Sequence, residues 1–110
     1  MPSGAVKNAA GNWVKGSIPG VTEAAASVKN MPADYRVSIT NAPGADAYPI
    51  SSFTYLLIPT HPTNPANEKT LKDMLSWMIK SGEGEVSALS YAPLPSSVAD
   101  KVLKTVYSLP

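Results

Sequence analysis

Residues 51–58, SSFTYLLI, constrain more strongly than any other segment what this chain can fold into. In an extended backbone, successive side chains point to opposite faces, and the second half of this segment is apolar on both. One face would carry Phe53, Tyr55 and Leu57, and the other would carry Thr54, Leu56 and Ile58. A strand with two apolar faces belongs inside a sheet that helices cover on both sides. We therefore predict an inner strand, ended by Pro59, that requires a neighbouring strand on each edge.

The rest of the chain offers few partners for such a strand. One further candidate, RVSIT at residues 36–40, alternates Val37 and Ile39 with hydroxyl side chains. Near the N-terminus, GAVKNAAGNWVKG favours two short extended pieces around a turn at Gly11 and Asn12. A two-stranded sheet is only marginally stable in water. We therefore expect the sheet that residues 51–58 require to be incomplete within this chain.

Amphipathic segments near both ends of the chain predict helices. The first helix is capped by Ser17 and ends at Asn30 and Pro32. Its apolar face consists of small side chains at helical spacing: Val21, Ala24, Ala25 and Val28. The last helix follows a cap at Ser96 or Ser97. Its buried face is predicted to be Val98, Val102, Leu103 and Val106.

The clearest helix lies between these two, from residue 65 or 66 to residue 81. Either Asn64 or Asn67 is suited to cap it, and Gly82 terminates it. Its apolar stripe is Leu71, Met74, Leu75, Met78 and Ile79. Residues 84–95 are expected to hold one or two helical turns before two prolines interrupt them.

Composition excludes several classes of function. The chain of 110 residues forms at most one domain, and its net charge of +1 argues against charge-driven binding to nucleic acid or membrane surfaces. Because it has no cysteine, disulfides and thiolate metal sites are excluded. The N-terminal residues contain no apolar run suited to a signal peptide or a membrane span. The chain is therefore either intracellular or a part of something longer, with Met1 as an artificial start.

Three blocks of sequence, in order, resemble the C-terminal third of the phosphate-binding subunit of bacterial phosphate ABC transporters. They are VSITNAPGADAYPISSFTYLLIP, LKDMLSWMIKSGE and LSYAPLPSSVADKV, and GNWVKGSIPGVTEAAAS upstream fits the same register. The resemblance covers nearly the whole chain. It implies an α/β structure that is part of a periplasmic-binding-protein-like (type II) fold, with an incomplete sheet and flanking helices.

The same resemblance implies a division of the chain between two lobes that close around a ligand. Residues 1–47 would end the second lobe and include a crossover, and residues 48–110 would return to the first lobe. The proline- and glycine-rich loop 41–50 would then lie between the lobes, where hinge closure concentrates its change in backbone angles. The resemblance also implies a periplasmic or cell-surface location and a membrane permease as partner.

The family's anion-binding motifs are absent from this sequence. They are a Gly-rich, Thr-containing loop at a helix start, a Ser–Asp element and an arginine-containing segment, and such groups donate hydrogen bonds to an anion. The only arginine, Arg36 in DYRVSIT, does not match that segment. We therefore assign no ligand-binding, catalytic or metal-binding residue and no cofactor. The protein is predicted not to be an enzyme.

Several polar residues invite a functional interpretation, yet the sequence favours a structural one. His61, flanked by prolines, is expected to be an exposed loop residue and not a catalytic or metal-binding one. Asp46 is expected to orient the crossover or to accept backbone N–H groups in an Asx turn. The hydroxyl groups of Ser51, Ser52 and Thr54 are expected to flank a strand ladder, in preference to reaching a cleft.

Two functions follow from the sequence. In the first, the chain is the C-terminal portion of a phosphate-type solute-binding protein and contributes scaffold and hinge, with phosphate bound only in the complete protein. The alternative is a free-standing structural half-domain that forms a homo-oligomer or complements an N-terminal segment, without binding a ligand. In both, Met74, Met78 and Trp77 are expected to form core, and the Tyr48–Pro49 bond is expected to be trans.

Overall fold

In the part of the chain that the structure describes, regular structure consists of one short hairpin and a few helices. A computed structural model of the chain describes residues 2–61 and 63–110. Met1, which the sequence analysis considers as an artificial start, and Pro62 lie outside the described residues. The strands are β1 (Val6–Lys7) and β2 (Trp13–Val14), and the helices are α1 (Ile18–Ala26), α2 (Ala66–Lys80) and α3 (Ser96–Ser108). Two 3-10 turns, Gly82–Gly84 and Val86–Leu89, connect α2 to α3. None of the described helices combines the length and apolar character that a membrane span needs.

The N-terminal hairpin has the form that the sequence predicts. β1 and β2 pair antiparallel, with Val6 opposite Val14 and Lys7 opposite Trp13. Between them, the amide of Asn8 donates to the carbonyl of Asn12 over 2.8 Å. Gly11 adopts a φ of +89°, a left-handed conformation that glycine reaches without steric cost. The turn predicted at Gly11 and Asn12 is therefore confirmed.

α1 begins at its predicted cap. The hydroxyl oxygen of Ser17 accepts a hydrogen bond from the Gly20 amide at 3.1 Å, which satisfies one of the free N–H groups of the first turn. Ala24 and Ala25 are buried on the predicted small-residue face. The helix ends at Ala26, however, and not at the predicted boundary of Asn30 and Pro32.

α2 and α3 pack against each other, and α3 also contacts α1. α2 has its predicted bounds to within one residue. Its cap position is Pro65 and not Asn64 or Asn67 as predicted, although the Asn64 side chain, one residue earlier, accepts from the Ala66 amide at 3.0 Å. In α3, Val98 and Val106 are buried as predicted. The predicted cap at Ser96 or Ser97 is wrong, because Pro95 takes the cap position and no side chain bonds to the first turn.

The two longer strands predicted from the sequence are not formed. Among the described residues, 36–40 and 51–58 lie outside the only sheet, which is the hairpin. The physical reason is that a strand is stabilised by hydrogen bonds to its neighbours, and no described segment pairs with either of these. The prediction of an α/β structure is confirmed by the three helices and the two-stranded sheet of the described residues, while the inner strand predicted at residues 51–58 is wrong.

The buried core lies between α1 and the segment that follows it. Ile39 is the largest fully buried side chain, with 2% of its surface exposed. Four buried alanines surround it, and Val28 and Phe53 pack against the same cluster; the alanines are Ala24, Ala25, Ala42 and Ala47. The radius of gyration is 15.8 Å, compared with about 13 Å for a compact domain of this length. The chain is therefore more extended than a self-contained domain of its size.

Candidate functional site

The candidate site is the loop of residues 41–51, called here the crossover loop, because the family resemblance predicts the junction between two lobes within residues 41–50 of it. The loop is closed at its base by the Asn41 amide, which donates to the Pro49 carbonyl over 2.8 Å. Asn41 has a φ of +52°, in the left-handed region that asparagine tolerates better than most residues. Inside the loop, the Ala47 amide donates to the Gly44 carbonyl over 3.2 Å. A segment whose sequence shows only turn-forming residues, such as proline, glycine and asparagine, is thus an ordered loop with its own hydrogen bonds.

α1 holds the loop from one side. The Tyr48 amide donates to the Gly20 carbonyl over 3.0 Å, so the loop backbone lies directly against the first turn of the helix. This approach favours glycine: a Cβ atom at Gly20 would lie 3.0 Å from the Ser17 Oγ, 3.2 Å from the Tyr48 Cβ and 3.4 Å from the Asp46 carbonyl oxygen, so these neighbours would have to move slightly. Gly20 is buried, which accords with this close packing.

The hairpin holds the loop from the other side through Asn8, a buried residue that is 5% exposed. Its Nδ2 atom donates to the Ala45 carbonyl at 2.7 Å and to the Ala47 carbonyl at 3.2 Å, with the Gly44 carbonyl oxygen at 3.5 Å. Its Oδ1 atom accepts from the Asn12 amide at 2.9 Å. Both ends of the side-chain amide are therefore satisfied, and one residue fastens the loop to the hairpin turn.

The sequence did not single out Asn8. Its sequence context, an asparagine at the start of a turn, indicates only a local role. Its partners lie 36 to 39 residues further along the chain, and no periodicity or spacing connects them. Asn12 adds a second bond to the same loop, from its Nδ2 atom to the Ala45 carbonyl at 2.9 Å.

Hydroxyl groups donate hydrogen bonds to backbone carbonyls at the C-terminal end of the loop. Ser51 is buried, and its Oγ atom donates to the Tyr48 carbonyl at 2.7 Å. Thr40 approaches from the opposite side, with its Oγ1 atom donating to the Ser51 carbonyl at 3.4 Å. Ser51 was predicted to flank a strand ladder, but its side chain instead closes the C-terminal end of the loop. Ser52 and Thr54 are exposed.

The other predicted residues lie on the surface or away from the loop. Asp46 is exposed, and no hydrogen bond links its side chain to another described residue, so the predicted Asx turn is not formed. His61 is an exposed loop residue, as predicted, on a cleft of about 330 Å³ beside α2. Trp77 is 58% exposed and Met74 is also exposed, so the prediction that they form core is wrong; Met78 is half-buried. Neighbouring side chains among the described residues therefore cover only part of the apolar stripe of α2.

Arg36 lies in an exposed turn, where its Nε atom pairs with the Asp34 carboxylate at 2.8 Å. The hydrogen bonds from the Arg36 side chain and backbone hold the pKa of Asp34 below its ordinary value of 3.8. The bonds from the Arg36 backbone N–H and Nε to the Asp34 carboxylate stabilise this local turn. Among the described residues, no hydrogen bond joins the Arg36 guanidinium to the crossover loop. The Tyr48–Pro49 bond is trans, as predicted.

A shallow cleft of about 300 Å³ opens between the start of α1 and the crossover loop. Among the described residues, its lining contains hydroxyl and apolar side chains but no charged one: Gly16, Ser17, Ile18, Val21, Tyr48, Ile50, Ser90 and Ala92. The Ser17 hydroxyl is already engaged by the Gly20 amide. Tight binding of an oxyanion relies on arginine or on converging N–H groups, so this cleft is a poor candidate for one.

Comparison with known proteins supports the resemblance. No protein-family model matches the chain. The phosphate-binding protein PstS of Xylella fastidiosa (strain Temecula1) is 32% identical over 99 residues, which are 89% of this chain and 27% of that protein. PstS of Methanocaldococcus jannaschii is 32% identical over 118 aligned positions, covering 96% of this chain and 30% of that protein. PstS of Haemophilus influenzae is 26% identical over 98 residues.

The chain thus spans less than a third of the length of these curated relatives. The alignments cover nearly all of this chain, and they recur in relatives from several organisms that carry the same name. The resemblance predicted from the three sequence blocks is therefore confirmed: this chain corresponds to the C-terminal part of phosphate-binding proteins of the PstS type.

Proposed function

We propose that this chain is the C-terminal portion of a phosphate-type solute-binding protein of an ABC importer, and that it contributes scaffold and hinge to phosphate capture. The single observation that carries the proposal is the identity of about a third to PstS proteins over nearly the whole chain. Those relatives are named as binding proteins, which supports a role without catalysis. By the same reasoning, its place of action would be the periplasm or the cell surface, next to a membrane permease.

The crossover loop supports the hinge part of this proposal. It joins the hairpin and α1, on its N-terminal side, to residues 52–110 on its other side. In a protein of two lobes, residues 1–47 would belong to one lobe and residues 48–110 to the other. Loops that connect lobes absorb the backbone change of closure while the packed elements move as rigid bodies.

The anion itself would be held elsewhere in the complete protein. The only arginine of this chain, Arg36, is engaged with Asp34 in an exposed turn. The cleft at α1 lacks charged side chains among the described residues, and the Ser17 hydroxyl takes up one free N–H of the helix start. Bidentate arginine and free helix N-termini are the groups that bind phosphate tightly. We therefore expect this chain to shape the closing protein without contacting the ligand.

Titration calorimetry with millimolar phosphate tests the proposal in two proteins. The isolated chain is expected to give no saturable heat. A chimera in which this chain replaces the matching C-terminal part of the M. jannaschii PstS protein is expected to bind phosphate. A chimera that folds cooperatively yet ignores phosphate would contradict the proposed function. Tight binding by the isolated chain would place the anion site within these 110 residues.

An alternative function as a self-associating half-domain is favoured by one observation. Leu57 is 92% exposed, and its neighbours Tyr55 and Leu56 are also exposed. Contiguous apolar side chains on an unpaired segment attract another chain. Light scattering over a range of protein concentrations tests this alternative, with Leu57→Lys as the variant and Leu89→Lys, the same change at another exposed leucine, as the control. A wild-type chain that remains monomeric at high micromolar concentration would contradict it.

A further inference from the structure

We propose that Tyr35, Lys101 and Thr105 form a latch, called here the Tyr35 latch, in which α3 holds the backbone of Tyr35 in a strained left-handed conformation. When the latch opens, this backbone relaxes and residues 31–37 separate from α3. Residues 36–40 lead from Tyr35 directly into the crossover loop, so the latch fixes the point from which the chain enters that loop. An element with one strained and one relaxed state is a conformational switch built into the fold. Under the proposed function the latch would join the two lobes, but its existence is a property of this chain alone.

The first observation is the backbone of Tyr35, whose φ is +60°. Glycine, asparagine and aspartate reach this left-handed region most readily, whereas a bulky side chain is rare there. Among the described residues, two other non-glycine residues have a positive φ, Asn41 and Ser90, and both carry small polar side chains. For tyrosine without outside support, the left-handed conformation is disfavoured by about tenfold. Strain of this kind persists only where the surrounding structure holds it.

The second observation is the set of contacts between Tyr35 and α3. The Tyr35 hydroxyl oxygen lies 3.0 Å from the Lys101 carbonyl oxygen and 2.6 Å from the Thr105 Oγ1 atom. A hydroxyl group has one proton, so when it donates to the carbonyl it accepts from Thr105. The Lys101 Nζ atom lies over the Tyr35 ring, 5.6 Å from its centroid, and also donates to the Met31 carbonyl. One turn of α3 therefore engages both the hydroxyl and the ring face of Tyr35, from 66 to 70 residues further along the chain.

The local hydrogen bonds around Tyr35 give weaker support to its conformation. The Tyr35 amide donates to the Pro32 carbonyl over 3.1 Å, and the Val37 amide donates to the Tyr35 carbonyl over 2.9 Å. Both bonds close turns through the residues between their partners, so neither requires a left-handed φ at Tyr35. One local bond does span Tyr35, because the Arg36 amide donates to the Asp34 carboxylate over 3.1 Å. That carboxylate and its ion-pair partner are exposed, where such a pair contributes little, so the contacts with α3 are the main support.

The φ of residue 35 in solution tests the proposal on the full chain. NMR reads it from the nuclear Overhauser effect between the amide and Hα protons of one residue, which is strong at positive φ. In the wild-type chain, this signal is expected to be as strong at Tyr35 as at Asn41, whose φ is +52°. A weak signal at Tyr35 beside a strong one at Asn41 would overturn the proposal without the use of any variant.

Tyr35→Phe combined with Lys101→Met opens the latch. The pair of changes removes the hydroxyl and ammonium groups but keeps an aromatic residue at position 35, with the same backbone preference. The left-handed population of residue 35 is expected to fall to about a tenth, while Asn41 keeps its strong signal. A positive φ that survives at residue 35 in this variant would show that α3 does not hold it.

A matched control makes the same two changes at another lysine–tyrosine pair. The Lys80 Nζ atom lies 5.3 Å from the centroid of the Tyr107 ring, and neither residue has a positive φ. Tyr107→Phe combined with Lys80→Met is therefore expected to leave the φ of Tyr35 unchanged. An equal loss of the signal in this control would mean that general destabilisation, and not the latch, governs residue 35.

Asp34→Ala separates the latch from the local turn, and it remains informative if the double variant at the latch fails to fold. This exposed substitution removes the bond from the Arg36 amide and leaves the contacts between Tyr35 and α3 in place. The strong signal at Tyr35 is expected to persist. Its loss in Asp34→Ala would assign the left-handed conformation to the local turn and would overturn the proposal.

Discussion

Two aliphatic residues from the segments predicted as strands offer a sharp test of the structure. Ile39 is 2% exposed and lies at the centre of the core, whereas Leu57 is 92% exposed. The sequence gives both residues the same role, since each occupies an apolar position of a predicted strand. The structure assigns them opposite roles. Replacing each by alanine removes a similar volume, so a difference in stability reports burial and not chemistry.

The expected cost of Ile39→Ala can be estimated from its surroundings. Substitution of a buried isoleucine by alanine costs about 2–5 kcal/mol, and the cost rises with the volume of the cavity that remains. Most of the side chains around Ile39 are alanines, which have no rotamers with which to fill a void. We therefore expect a loss of about 3–5 kcal/mol in the free energy of unfolding. Leu57→Ala removes an exposed side chain and should change it by less than about 0.5 kcal/mol.

Urea unfolding followed by circular dichroism at the helical signal measures both values, because the three described helices all lose structure on unfolding. The slope against urea must stay constant for the comparison to hold. A loss below about 1 kcal/mol for Ile39→Ala, or one above about 1.5 kcal/mol for Leu57→Ala, would refute the assigned burial. The measurement is made at two protein concentrations, so that an effect of Leu57 in an assembly is seen as a dependence on concentration.

Three further outcomes are expected. Ser17→Ala removes the bond to the Gly20 amide and should lower the free energy of unfolding by about 1 kcal/mol, measured by urea unfolding. Gly20→Ala brings a Cβ atom to 3.2 Å from the Tyr48 Cβ. The cost of overpacking, about 1–3 kcal/mol, should exceed the gain of up to about 1 kcal/mol in helix propensity, so the free energy of unfolding should fall. A stabilised variant would contradict this packing. Arg36→Gln should raise the pKa of Asp34 toward 3.8 in an NMR titration. In the wild-type chain, the contribution of this ion pair to stability is present at neutral pH and is lost as the pH falls through the lowered pKa of Asp34.

The helices could be predicted from the sequence because their signals are local. Ser17 stands three residues before the amide that it caps, and the stripe of α2 repeats within fifteen residues. The hairpin was predictable for the same reason, since Gly11 marks a turn between two nearby segments. Each of these elements satisfies its backbone groups with neighbours in sequence, so a short window contains the information that specifies it.

The crossover loop could not be predicted because its stabilising bonds are long-range. Proline, glycine and asparagine indicate where the chain turns, but they do not indicate that Asn8 supplies donors to carbonyl groups 37 and 39 residues away. The prediction for residues 51–58 failed for a related reason. Apolar side chains on both faces indicate a strand environment, but a strand exists only when other strands supply the ladder. The pattern describes an environment that the described residues do not provide.

That mismatch distinguishes the two proposed functions. Burial of residues 55–58 requires an apolar surface and backbone partners from outside the described chain, and two sources are proposed. If the segment pairs with another copy of this chain, protection of its amides must increase with protein concentration, because association is bimolecular. If it pairs with the remainder of a phosphate-binding protein, the chimera must protect the same amides at every concentration, because the partner is then covalently attached. The concentration dependence of exchange at Leu56 and Leu57 therefore decides which surface completes this chain.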